Sequence, residues 1–192
     1  MFYMIYLAAG KSSRYGSNKL LEEIDGKPMY RHLLDILTVM KEEEPHRYEL
    51  VVVTAYDEIE NDLQGLPLKV VRNRNQELGA SHSIKLGLEA CGEIGRHDHV
   101  MFAVADQPYV QEDELFGFIH MFKRSYKGIG VLCWQGEMGN PVIFQGQFVP
   151  ELMELTGDVG GKAVVKAHLS EVFQYEVDSE MSLRDIDTPQ EQ

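Results

Sequence analysis

The chain has 192 residues, 44% of them hydrophobic, which can bury a full core and predicts a single domain spanning residues 1–192. Its 18 basic and 31 acidic residues give a net charge of −13 (18 − 31), which opposes nonspecific binding to nucleic acid or an anionic membrane. The sequence has two cysteines but no CxxC pair, and no apolar run approaches the roughly 18 residues of a membrane span. No basic leader precedes the first strand. Together these features predict a cytoplasmic protein.

Strand-like and helix-like segments alternate along the chain, which is typical of a parallel sheet with crossover helices. Pro28 is expected in the first turn of the first helix. Two later strands joined by a turn at 136–139 predict an antiparallel hairpin. The predicted fold is a Rossmann-like three-layer α/β domain, mostly parallel, with this hairpin as an extension. The predicted strands are 4–7, 50–54, 68–71, 100–105, 128–134 and 139–144, and the predicted helices are 29–43, 57–63, 81–90 and 163–169.

The stretch LAAGKSSRYGSNK, from Leu7 to Lys19, predicts a nucleotide site. A strand that ends in two alanines and a glycine lets backbone approach a ligand closely, and the hydroxyls and cations that follow suit triphosphate oxygens. The alternative is an ordinary strand-to-loop turn. A Walker loop is excluded because Ile5 stands where its first glycine is needed, and the dinucleotide fingerprint is excluded because Ser12 stands where its second glycine is needed.

Asp106 directly follows the predicted strand 100–105. Ligands of open α/β sheets collect beyond the carboxyl ends of the strands, so this carboxylate is expected to face the same crevice as Gly10. One carboxylate together with phosphate oxygens suits Mg²⁺. The alternative is a helix cap, although the acidic segment 112–114 offers closer caps.

Three further segments could bind ligand. Small residues from Gly79 to Ser83 begin a helix, and Ser81 there could be a helix cap or a base contact. The glycines before Lys162 could form an anion-binding nest or a plain loop. Asp185 and Asp187 alternate around an apolar residue, so in an extended segment both point to one face; the alternative is a solvated tail.

The first stretch resembles the LAAGxSxRxGxxK signature of nucleotidyltransferases with the MobA-like fold. GASHS is similar to that family's GxSxS, and DIDTP is similar to its DIDTPED terminus. GNPVIF is similar to its GHPV element, with Asn140 in place of histidine. GDVGGK is similar to its GDxGAR, with Lys162 in place of arginine. The resemblance runs from Leu7 to Glu191. It is strongest to the cytidylyltransferases of molybdenum cofactor maturation, including relatives that serve xanthine dehydrogenase maturation.

The resemblance implies transfer of CMP from CTP to the terminal phosphate of a molybdopterin-type cofactor, with release of pyrophosphate. It implies Mg²⁺ as the cofactor and a molybdenum hydroxylase apoenzyme as a further partner. Asp187, supported by Asp185, is the expected second metal ligand. The implied site residues are Arg14, Lys19 and Asp106 for catalysis, Leu7, Ala8, Ala9, Gly10, Ser12, Gly79, Ser81 and Ser83 for nucleotide, and Asn140, Pro141, Gly160, Gly161 and Lys162 for the acceptor.

The Ala8-Ala9-Gly10 turn resembles the CTP form of the family, since GTP-using members usually carry two glycines there. The alternatives within the class are a GTP-using molybdenum cofactor guanylyltransferase and a sugar-phosphate nucleotidyltransferase. The alternative outside it is a noncatalytic chaperone that binds the cofactor and delivers it to an apoenzyme.

Overall fold

The computed structural model describes residues 1–10 and 18–186. Its strands are β1 (Phe2–Ala8), β2 (Glu23–Ile24), β3 (Lys27–Pro28), β4 (Tyr48–Thr54), β5 (Lys69–Arg72), β6 (His99–Val104), β7 (Ile129–Trp134), β8 (Glu137–Gln145) and β9 (Val172–Glu176). Seven of them form one sheet in the order β5-β4-β1-β6-β8-β7-β9, in which β8 alone runs opposite to the rest. β2 and β3 form a separate antiparallel ribbon.

Helices cover both faces of this sheet, which gives the predicted three layers. One layer packs against the core that contains Met4 and Tyr6, and the other against the core that contains Ile5. The first layer is α1 (Arg31–Glu43), α2 (Asp57–Asp62) and α4 (Glu112–Ser125); the second is α3 (Ala80–Cys91), α5 (Val149–Glu154) and α6 (Lys162–Ala167).

The central strand β1 is apolar throughout because both of its faces are buried. Its even-numbered side chains enter one core and its odd-numbered side chains enter the other. It pairs in parallel with β4 on one side and β6 on the other. A continuous apolar run is the pattern expected for such a strand.

The structure corrects the predicted fold in three places. Pro28 lies in β3, and α1 begins at Arg31. The hairpin turn is Gln135-Gly136, whose φ angles of 48° and 84° suit a two-residue turn, so β8 already begins at Glu137. β9 was not predicted; it pairs with β7, so the hairpin lies inside the sheet and not at its edge.

No helix among residues 1–10 and 18–186 is long and apolar enough to cross a membrane.

Candidate active site

Lys19 and Asp106 form an ion pair at the carboxyl edge of the parallel strands. The Lys19 Nζ to Asp106 Oδ2 distance is 2.9 Å, and the two side chains are 8% and 30% exposed. Asp106 follows β6, and Lys19 begins a short 3₁₀ turn in front of β2. The two charged residues that the sequence places at one crevice therefore meet, although 87 positions separate them.

The turn after β1 lies beside this pair. Ala8 and Ala9 are buried, and the Ala9 carbonyl accepts a 2.9 Å hydrogen bond from Gln76 Nε2. The Tyr56 hydroxyl donates to the carbonyl of Gly10. Gly10 is exposed, and a Cβ built on it would meet no atom of residues 1–10 or 18–186 within 4 Å. This part of the chain therefore does not itself require a glycine at position 10; approach of a ligand to the backbone there stays a prediction.

The segment from Gly79 to Ser83 makes several contacts within the protein. Gly79 has φ +81°, and a Cβ on it would lie 2.5 Å from the Gly157 backbone. Ser81 is buried inside the first turn of α3 and donates its hydroxyl to the Gly157 carbonyl at 2.7 Å, so it is not the N-cap. Ser83 accepts a 2.9 Å hydrogen bond from Asn73. Contact of these serines with a nucleobase stays a prediction.

A cleft of about 340 Å³ opens where β8 begins. Because Phe102 of β6 pairs with Val142 of β8, the residues before Val142 lie beside those that follow Phe102, toward Asp106. A β-bulge places Asn140 and Pro141 in the interior of β8, not at its start as predicted, and the bond between them is cis. The cleft is lined by Gln107, Val131, Glu137, Met138, Gly139, Asn140, Val142, Lys162, Val165, Leu183 and Asp185.

The predicted acceptor residues around α6 are only partly joined to this cleft. Lys162 lines it as the first residue of α6, and Gly161 packs against the Phe144 ring, where an added Cβ would sit 3.3 Å away. Gly160 lies just ahead, and a Cβ built on it would meet no atom of residues 1–10 or 18–186 within 4 Å. The helix ends at Ala167, two residues earlier than predicted.

The segment from Leu183 to Ile186 is hydrogen-bonded to the residues that follow β6. The Ile186 amide donates to the Asp106 carbonyl at 3.0 Å. Gln107 Nε2 donates to the Leu183 carbonyl at 3.0 Å and to Asp185 Oδ1 at 2.7 Å. The predicted roles of Ser12, Arg14 and Asp187 fall on positions outside the described residues.

Sequence reasoning marked the strand end Asp106-Gln107-Pro108 as a site but gave Gln107 no role, although its position directly after Asp106 was a usable signal. Tyr56 and Gln76 were missed as parts of the site. These two had no such signal, since their contacts with Ala9 and Gly10 arise from long-range packing.

The charge of Asp106 also acts inside the core. Burial, with a smaller contribution from the Asp106 carboxylate, raises the pKa of Tyr6 well above its usual value. The Tyr6 hydroxyl accordingly stays a neutral donor, to the Tyr30 carbonyl at 2.9 Å.

The side chains at this edge of the sheet offer few ligands for a divalent metal. Within the described ranges, no three His, Cys, Asp or Glu side chains cluster as a ready-made metal site. Mg²⁺ commonly binds through one or two carboxylates plus substrate phosphates, and the partly exposed Asp106 carboxylate supplies the first of these. The residues present therefore fit a metal that arrives with a nucleotide.

The fold and the paired charges at the strand ends define an α/β nucleotide-binding protein. The sequence profile of the MobA-like NTP transferase domain matches residues 4–172, so the chain belongs to that family of nucleotidyltransferases.

The chain is similar to two curated relatives. It is 26% identical to the purine catabolism protein PucB of Bacillus subtilis (strain 168) over 97% of this chain and 92% of PucB. It is 39% identical to a probable molybdenum cofactor guanylyltransferase of Thermococcus sibiricus, over 30% of this chain and 27% of that protein.

Among solved structures, Rv0371c of Mycobacterium tuberculosis H37Rv superposes with a TM-score of 0.77 at 22% identity, over 99% of this chain and 95% of Rv0371c. Its manganese complex superposes with a TM-score of 0.68 at 21% identity, over 93% and 89% of the two chains. At these identities the likeness establishes the fold.

Proposed function

We propose that this protein transfers CMP from CTP to the terminal phosphate of a molybdopterin-type cofactor and releases pyrophosphate. The observation that carries the proposal is the Lys19–Asp106 pair beside the Ala9-Gly10 turn, with the Lys162-lined cleft next to it. The charged pair and the turn suit a triphosphate, and the cleft with Lys162 suits an acceptor that carries its own anionic group.

The transfer is a direct displacement at phosphorus. An oxygen of the acceptor phosphate bonds to the α-phosphorus of CTP while the bond to the bridging oxygen breaks, and pyrophosphate leaves with that electron pair. Because the attacking oxygen is already anionic, no side-chain base is required. Positioning and charge neutralisation by Lys19 and by Arg14 supply the rate enhancement.

A divalent metal would be held by Asp106, with Asp187 as the second ligand, and would neutralise triphosphate charge when bound. Mg²⁺ is the metal proposed for this chain, and the manganese complex of Rv0371c supports a divalent ion in the fold. Ser12 and the GASHS serines complete the proposed nucleotide pocket.

CTP is the proposed nucleotide because the Ala8-Ala9-Gly10 turn resembles the CTP form of the family, and a glycine pair there would leave more room for a purine. Ala9→Gly should therefore narrow the CTP preference, since one methyl at a binding wall changes discrimination by about 10- to 200-fold. The kcat/KM ratio of CTP to GTP measures this, and an unchanged ratio would remove the basis for the choice. The Thermococcus relative favours GTP as the runner-up.

The cellular role proposed here is maturation of a molybdenum hydroxylase in the cytoplasm. The near full-length similarity to a purine catabolism protein supports a hydroxylase that acts on purines. It equally suits a noncatalytic chaperone that carries the cofactor to the apoenzyme. Lys19 and Asp106 favour the enzyme, because a binder has little use for a carboxylate that faces a triphosphate.

One assay separates these functions. The purified protein is mixed with Mg²⁺, each of CTP, GTP, UTP and ATP, and either molybdopterin or common sugar 1-phosphates, and pyrophosphate release is measured. Release with CTP and molybdopterin supports the proposal. Release with GTP or with a sugar phosphate replaces it by the corresponding alternative. Binding of CTP and molybdopterin without any pyrophosphate identifies a chaperone.

A further inference from the structure

Gln107 is the most unusual polar residue of the acceptor cleft. Its side chain lines the cleft, yet the residue is only 3% exposed. Both partners of its Nε2, the Leu183 carbonyl and an Asp185 carboxylate oxygen, can only accept hydrogen bonds. The orientation of the amide is therefore fixed, because a flipped amide would place oxygen against oxygen.

Within residues 1–10 and 18–186, this orientation leaves the Gln107 Oε1 atom without a hydrogen-bond partner, and the atom is buried. A buried acceptor without a donor is destabilising. The donor that Oε1 lacks can come from a molecule bound in the cleft.

The cleft also indicates the chemistry of that molecule. Val131, Val142 and Met138 supply apolar walls, which suit a flat ring better than a polyol. Lys162 supplies a cation for an anionic group on the same ligand.

We propose that Gln107 determines acceptor specificity: its Nε2 holds Asp185 in place, and its Oε1 accepts a hydrogen bond from a ring N–H of a heterocyclic acceptor that carries a phosphate. This inference rests on the proposed function and deepens it, because a pterin ring has such N–H groups. Buried hydrogen-bonding sites reject ligands that lack the matching group, so selection against N-methylated rings follows.

The test measures binding and does not depend on turnover. Pterin monophosphate and its 2-dimethylamino-3-methyl analogue, which lacks those ring N–H groups, are titrated against the protein, and ring fluorescence is followed. Wild type should prefer the unmethylated ligand by about 10-fold or more. Gln107→Met should reduce the ratio to about 1–3 while CTP affinity stays within about 2-fold. Gln107→Asn, which withdraws the amide by one methylene, serves as the second variant if Gln107→Met does not fold.

Gln174→Met is the matched control, because Gln174 is an exposed residue of β9 outside the cleft, and it should keep the wild-type ratio. If wild type binds both ligands equally, or if a folded Gln107 variant keeps the full preference, the role of Gln107 is overturned while pyrophosphate release with molybdopterin still supports the proposed function. If wild type binds neither pterin ligand, the acceptor class fails and the inference falls with it.

Discussion

Asp106 is the residue on which most of the proposed chemistry depends. Asp106→Asn keeps the shape of the side chain but removes the charge that pairs with Lys19 and that would hold a metal. We expect kcat to fall by about 100-fold or more, as for loss of one preorganised charge-stabilising group, with the fold intact.

Pyrophosphate release and thermal unfolding of the same preparation check this outcome. Asp178→Asn is the matched control, because Asp178 is exposed and outside the site. Wild-type turnover in Asp106→Asn would show that the carboxylate is not needed.

Substitution of Gly10 tests whether glycine is required there for stability or for nucleotide binding. A methyl there meets no atom of the part of the chain that the structure describes, so Gly10→Ala should leave the free energy of unfolding unchanged or raise it by about 0.4–1 kcal/mol through the unfolded chain. The same methyl should weaken CTP binding by about 10-fold or more, because it stands where the phosphates would approach the backbone. Equilibrium unfolding and CTP titration measure the two effects, and unchanged CTP affinity would place the nucleotide elsewhere.

At the scale of elements, the close approach of α3 to β1 depends on a glycine. A Cβ on Gly87 would lie 2.4 Å from Cγ2 of the fully buried Ile5. Alanine normally stabilises a helix interior by up to about 1 kcal/mol over glycine, but overpacking a core costs about 1–3 kcal/mol. We expect the cost of overpacking to exceed the gain in helix propensity, so Gly87→Ala should lower the free energy of unfolding by about 1–2 kcal/mol.

Denaturant unfolding of Gly87→Ala measures this. Gly160→Ala is the control for stability, since a Cβ at Gly160 meets nothing within 4 Å. A Gly87→Ala protein as stable as wild type would mean that α3 can move away from the sheet at little cost.

The elements differ in how far the sequence predicts them. The apolar run of β1 and the helical spacing of α1 are local signals, and both elements were predicted, although β1 is longer than the predicted 4–7 and α1 begins two residues later than predicted. β9 has a mixed pattern with exposed Gln174, because it is an edge strand, and it escaped prediction. In the site, the meeting of Lys19 with Asp106 follows from the edge rule for parallel sheets, whereas the contacts of Gln107 depend on where the chain returns after β9 and have no local signal.

At the scale of the whole molecule, one half-buried lysine gives the free energy of unfolding a predictable response to pH. Lys123 of α4 lies over the rings of Phe2 and Tyr48, with its Nζ atom 4.8 and 5.8 Å from the two ring centroids. Burial, and secondarily the positive charge of Arg47, lower the pKa of Lys123 from 10.5 to about 8. Between these values the unfolded chain binds more protons than the folded chain, so this group makes the free energy of unfolding rise with pH.

Lys123→Met should abolish that contribution. The free energy of unfolding of wild type minus that of the variant should increase from about pH 8 to 10.5 and be level below pH 8. Taking the difference cancels the opposite contribution of Cys91 and Cys133, whose pKa values burial raises to about 12. Denaturant titrations across this range provide the measurement, and a difference independent of pH would contradict the prediction.

Because β8 alone is reversed, its beginning and not its end lies toward the ends of β1 and β6. The proposed nucleotide site uses the ends of β1 and β6, whereas the cleft is built from the beginning of β8. The two-residue turn that precedes β8 takes no part in the pairing of β1 with its neighbours. A library of hairpins grafted at Gln135-Gly136 would therefore vary the proposed acceptor site while the proposed nucleotide site stays the same in every member.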